Sequence, residues 1–106
     1  MELKIYWTNF SKQELKEIYN YYREKASITI ARNLTIGITK EVDKLKIQPT
    51  IGQEEELLEN DSRDFRYLLY NNHYKIIYWV NIEKNRIEIF DVFDTRQNPI
   101  EIKRNK

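Results

Sequence analysis

A chain of 106 residues with 41% apolar and 33% charged side chains suits one compact domain, a modest core beneath a heavily charged surface. Lys and Arg number 18 against 17 Asp and Glu, a net charge of +1, so strong overall basicity and acidity are both excluded, and any nucleic-acid contact has to rest on a local patch. Cysteine is absent and His73 is the sole imidazole, which excludes disulfides, thiol nucleophiles, thiolate metal sites and any site needing two histidines.

The opening run Leu3 to Trp7 is rich in β-formers, with Leu3, Ile5 and Trp7 on one face, and predicts a short strand. Ser11-Lys12-Gln13-Glu14 is a capping box, in which Ser11 and Glu14 satisfy each other's backbone N–H groups. Phe10 and Leu15 have the spacing of a hydrophobic staple across it. A helix is therefore expected from the Ser11 cap to about Lys25, with Leu15, Ile18, Tyr19 and Tyr22 as its buried stripe. Ser27 caps a second helix with the stripe Ala31, Leu34, Ile38, Val42 and Leu45. The short link between the two makes them an antiparallel hairpin. Gly37 costs a helix about 1 kcal/mol relative to Ala, and is read as close packing against the first helix or the sheet. Pro49 stops the helix, and Pro49-Thr50-Ile51-Gly52 makes a turn.

Residues 53–64 are polar and acidic and predict an exposed loop with at most a fragment of regular structure. Three β-rich runs follow, Phe65 to Tyr70, Tyr74 to Asn81 and Arg86 to Asp94. The turns Asn71-Asn72 and Glu83-Lys84-Asn85 join them into an antiparallel meander. The order β-α-α-β-β-β predicts an α+β fold, with the antiparallel helical hairpin packed on one face of a small, mainly antiparallel sheet. The other face is expected to be partly exposed. One domain spans 1–106, with the tail 97–106 free to flex.

Arg66, Lys75 and Arg96 lie on or just after three consecutive strands. They either converge on one side to hold a phosphate or a partner's carboxylate, or spread as ordinary cations snorkelling along the sheet. His73, beside the Asn-Asn turn, reads as a solvated surface residue. The acidic run lacks the alternating oxygen ligands and glycine of a calcium loop and reads as a solvated charge run. The many tyrosines read as packing. With no Gly-rich phosphate loop, Cys/His cluster or Ser nucleophile motif, the sequence points to no cofactor and no metal. No apolar run approaches the roughly 18–20 residues of a membrane span, and no signal-peptide core opens the chain, so a soluble protein of a reducing compartment is expected.

Taken together, these segments resemble the RelE/ParE superfamily of bacterial type II toxin–antitoxin toxins, and more closely its ParE branch. Ile5-Tyr6-Trp7-Thr8 and then Leu15-Lys16-Glu17-Ile18-Tyr19-Asn20-Tyr21 look like the family's first strand and its D/E-L-x-x-I-x-x-Y helix. Leu45 through Pro49 to Gly52 is similar to its L-x-x-x-P-x-x-G element. Arg66-Tyr67-Leu68 and Tyr74-Lys75-Ile76-Ile77-Tyr78 look like its R-x-L and Y-x-(I/V)-x-Y strands. Val92-Phe93-Asp94-Thr95-Arg96-Gln97-Asn98-Pro99 is similar to its closing V-x-(H/D)-x-R-x-(D/N)-P signature. The pieces run in order along nearly the whole chain.

The resemblance implies a cytoplasmic growth inhibitor of the plasmid-stabilisation type, neutralised by an antitoxin that wraps around the helical hairpin and sheet edge. It also implies one of two modes of action. RelE-like members cut mRNA in the ribosomal A site, using an Arg in the Y-x-(I/V)-x-Y strand, an Arg after the last strand and a C-terminal Tyr or His. Here Lys75 and Arg96 match the first two, and residues 97–106 hold neither Tyr nor His. Losing a proton-transfer group costs about 10²–10⁴ in rate. Arg66 is a further candidate for a nuclease site, and Glu55, Glu59 or Glu101 for the proton, although spacing places none of the three beside Lys75 and Arg96. ParE-like members act on DNA gyrase without hydrolytic chemistry, which suits this sequence better. A third reading is a degenerate module that only binds antitoxin. Candidate contacts with target or antitoxin are Arg66, Lys75, Arg96, Lys103 and Arg104, the last two in a basic tail that is either a contact or a frayed terminus.

Overall fold

The structure, a computed structural model, describes residues 3–97 and 101–103. The order is β1 (Lys4–Trp7), α1 (Asn9–Lys25), α2 (Ile28–Asp43), β2 (Gln53–Glu54), β3 (Arg66–Tyr70), β4 (Tyr74–Asn81) and β5 (Arg86–Asp94), with 3₁₀ turns at Lys44–Lys46 and Glu56–Leu58. The strands form one mixed sheet in the order β1-β5-β4-β3-β2. β1 runs parallel to β5, and every other pairing is antiparallel. The α+β reading holds, with one strand more than expected, because Gln53 and Glu54 pair with Tyr67 and Arg66 at the far edge.

α1 starts earlier than the capping box places it. Thr8 is the N-cap: its hydroxyl accepts from the Ser11 N–H at 3.2 Å and donates to the Ile89 carbonyl of β5 at 2.8 Å. Ser11 lies inside the helix, fully buried, its hydroxyl bonded back to the Thr8 carbonyl. A cap that also ties the helix to the central sheet outcompetes one that serves the helix alone. Ser27 caps α2 as expected, accepting from the Ile30 N–H at 3.1 Å.

Alternation along β4 and β5 separates the two faces of the sheet. Tyr74, Ile76, Tyr78, Ile87, Ile89 and Val92 face the hairpin and pack with Ile38, Val42 and Leu45. A bulge between Ile77 and Tyr78 keeps that face apolar through the long β4–β5 pairing. Asn71 and Asn72 both adopt positive φ, the left-handed pair that a tight hairpin turn requires.

The second face is not left open over its centre. Ile77, Phe90 and Phe93 are covered by Leu58 and Phe65 from the acidic segment and by Ile102 from the tail. The acidic run is thus a strap, solvated outside and apolar beneath. The chain at 101–103 is packed there through Ile102 rather than frayed.

Candidate functional site

The three strand cations do not converge. Arg66 faces the hairpin side beside its register partner Tyr78, and its guanidinium donates to the Gly52 carbonyl at 3.1 Å and to Asp64 at 3.2 Å. The Tyr78 hydroxyl donates to the Pro49 carbonyl at 2.8 Å and accepts from the Gly52 N–H at 3.0 Å. Arg66 and Tyr78 together therefore pin the Pro49–Gly52 turn. A Cβ at residue 52 would lie 2.6 Å from the Tyr78 hydroxyl and 2.8 Å from the Tyr67 carbonyl, so only glycine fits.

Lys75 is paired in register with Phe93 and points to the opposite face. Its ammonium bonds Glu55 at 2.9 Å and sits 4.4 Å from the centre of the Tyr67 ring. Glu55 is buried, and its other oxygen caps the Leu57 N–H, so the pair fastens the strap to the sheet. Of the three glutamates weighed above, Glu55 does reach Lys75, while Glu59 and Glu101 are exposed. Lys103 and His73 are exposed, and Arg104 lies outside the described residues.

Arg96 closes the hairpin-side end of the sheet. Asp94 grips its guanidinium with two oxygens, to Nε and Nη2, both at 2.9 Å. Nη2 also donates to the hydroxyls of Tyr22 and Tyr74, each at 3.3 Å, and the two phenols are bonded to each other at 3.1 Å. Register pairing of Tyr74 with Asp94 brings the phenol beside the carboxylate, and α1 supplies Tyr22 from above. Burial pushes the Asp94 carboxyl up, but its bonds to the Arg96 side chain and backbone pull it below its ordinary value overall. The Tyr22 phenol is lowered by its bonds to Tyr74 and Arg96. The Tyr74 phenol is raised, chiefly by burial and by its bond to Tyr22. The cluster lines a cleft of about 360 Å³. Of its members only Arg96 was visible in the sequence as a candidate. The D-x-R spacing was the available signal for Asp94, because an aspartate side chain readily accepts from the backbone N–H two residues on, as Asp94 does from Arg96 at 2.9 Å.

A second feature runs along the free edge of β1. Hollows of about 450 and 570 Å³ share Trp7 and Thr39. Leu3, Ile5, Trp7, Leu15 and Tyr19 give them an apolar floor, and Lys4, Lys12, Lys16 and Lys46 form most of the rim, with Asp43 the one lining carboxylate.

A family model of the ParE toxin of type II toxin–antitoxin systems, parDE, matches residues 5–99. The chain belongs to the ParE toxin family. Its fold is similar to that of a chain from the chromosomal ParDE TA system of P. aeruginosa, with a TM-score of 0.71 and 17% identity, over 88% of this chain and 96% of that one. No curated protein matches the sequence. In this ParE-family chain the L-x-x-x-P-x-x-G and R-x-L elements meet at one turn, where Tyr78 and Arg66 hold Gly52. Among the described residues, no helix is long and apolar enough to cross a membrane, and no group of three or more His, Asp or Glu is placed to hold a metal ion.

Proposed function

We propose that this chain is the growth-inhibiting toxin of a bacterial toxin–antitoxin pair, held inactive in the cytoplasm by its antitoxin, and that it poisons DNA gyrase rather than cutting RNA. One observation carries the choice of target: Lys75 and Arg96, the cations that match the ribonuclease pattern, lie on opposite faces of the sheet, each bound to its own carboxylate. Cleavage of an RNA phosphodiester requires deprotonating a 2′-OH, stabilising charge on the phosphorane and protonating the leaving oxygen, all around one phosphorus. Two cations separated by a β-sheet cannot serve one phosphate. Trapping gyrase on cleaved DNA asks only for a binding surface.

The trough along β1 supports the antitoxin half of the reading. An apolar floor with a lysine rim favours an amphipathic segment carrying acidic residues beside apolar anchors.

The test is direct. Mixed with purified bacterial gyrase, supercoiled plasmid and ATP, the chain is expected to leave trapped, cleaved plasmid, and to leave mRNA on programmed ribosomes intact. Transcript cutting that Arg96→Ala abolishes, with plasmid unaffected, would replace this reading with the nuclease one. Neither effect, and no growth arrest on induction without antitoxin, would mark a module that only binds.

A further inference from the structure

Arg96 combines two properties that seldom coincide, a side chain half exposed to water and a guanidinium whose position is fixed. Asp94 takes Nε and Nη2, and the Tyr22 and Tyr74 hydroxyls share Nη2. Among the described residues these bonds leave Nη1 over, on a residue lining a cleft whose apolar wall is formed by Ile18, Tyr21 and Val92. Protein interfaces draw most of their binding energy from such Arg and Tyr anchors, and one already ordered before contact loses little side-chain freedom on binding.

We propose that Arg96 is the anchor through which this toxin grips its protein target, with Tyr22 and Tyr74 as positioning residues that hold it for the contact. This rests on the gyrase reading above. The chemistry of the cleft selects the acceptor. Asp94 already neutralises the guanidinium with both of its oxygens. A DNA phosphate there would set a second anion beside that carboxylate. A neutral carbonyl or carboxamide oxygen on the protein surface, flanked by an apolar side chain, meets Nη1 and the apolar wall without that cost.

The test measures binding of the full chain to purified gyrase without DNA over a range of salt, for wild type and for Arg96→Gln, Arg96→Lys, Tyr22→Phe and Tyr74→Phe. Arg96→Gln is expected to weaken binding about ten-fold or more. Arg96→Lys does not restore it, because an ammonium cannot be held by the same fork. Each Phe variant keeps its ring and loses about three- to ten-fold. A purely structural role would lower the unfolding midpoint of the Phe variants; the positioning role leaves the midpoint in place and loosens the Arg96 Nε–H in NMR relaxation. Variants that bind gyrase as wild type does overturn this proposal and leave the gyrase reading standing. Binding that needs DNA and falls steeply with salt overturns it in favour of a phosphate contact. Wild type that binds gyrase under neither condition overturns both.

Discussion

Gly37 of α2 and Tyr70 of β3 occupy nearly the same space: a Cβ on residue 37 would collide with the Tyr70 hydroxyl and lie 2.5 Å from its ring carbon Cζ. The glycine lets the helix settle onto the sheet at that ring. Gly37→Ala would gain up to about 1 kcal/mol of helix propensity, and displacing the phenol would cost about 1–3 kcal/mol. Thermal unfolding should show a net loss of about 1 kcal/mol. In a Tyr70→Leu background the same change should cost nothing or stabilise, a non-additivity that a double-mutant cycle reads directly.

The buried Tyr78 hydroxyl serves two backbone groups of the Pro49–Gly52 turn. Tyr78→Phe strands both, and urea unfolding should register a loss of about 1–3 kcal/mol.

Alkaline pH probes the same residue. Burial raises the Tyr78 phenol above its ordinary value of 10.0, against weaker lowering by the Gly52 N–H and Arg66. The Tyr74 phenol is raised as well, and that of Tyr22 is lowered. Above pH 10 the unfolded chain releases phenolic protons that folded Tyr78 and Tyr74 retain, so stability present below pH 10 is lost as the pH rises past it. The decline should be shallower in Tyr78→Phe. Equal slopes for the two proteins would show that this phenol does not contribute.

Lys75→Ala leaves Glu55 buried without its cation. The expected loss is about 3 kcal/mol, at the low end for a broken buried pair because Lys75 keeps some contact with water. Replacing both by leucine should recover most of it. Amide hydrogen exchange across 55–65 should quicken in the single variant and not in the double.

Ile102 anchors the tail on the second face. Ile102→Ala should cost about 2–5 kcal/mol. Deleting residues 100–106 should increase the binding of an apolar dye, because Phe90 and Phe93 lose part of their cover.

What was legible in the sequence was what local rules control. The limits of β4 and β5, the Ser27 cap, the Asn-Asn turn and the close packing at Gly37 all follow from period, propensity and turn chemistry within a few residues. Thr8 is not legible as the cap, because the bond that favours it over Ser11 comes from Ile89, far along the chain. Leu58 was hidden among acidic neighbours with no period to mark it, and the burial of Glu55 depends on a lysine twenty residues on. The Arg96 cluster draws on α1, β4 and the end of β5, and no spacing rule within one element could assemble it.

Among the described strands β1 finds its sheet neighbour in β5, which is made far later. A nascent chain leaving the exit tunnel can form its helical hairpin early, but the trough along β1 has no backing until β5 has emerged. Contacts between such distant segments are slow to close. A chain cut short before Arg86–Asp94 would therefore lack the strand that holds β1, and the trough beside it, in place.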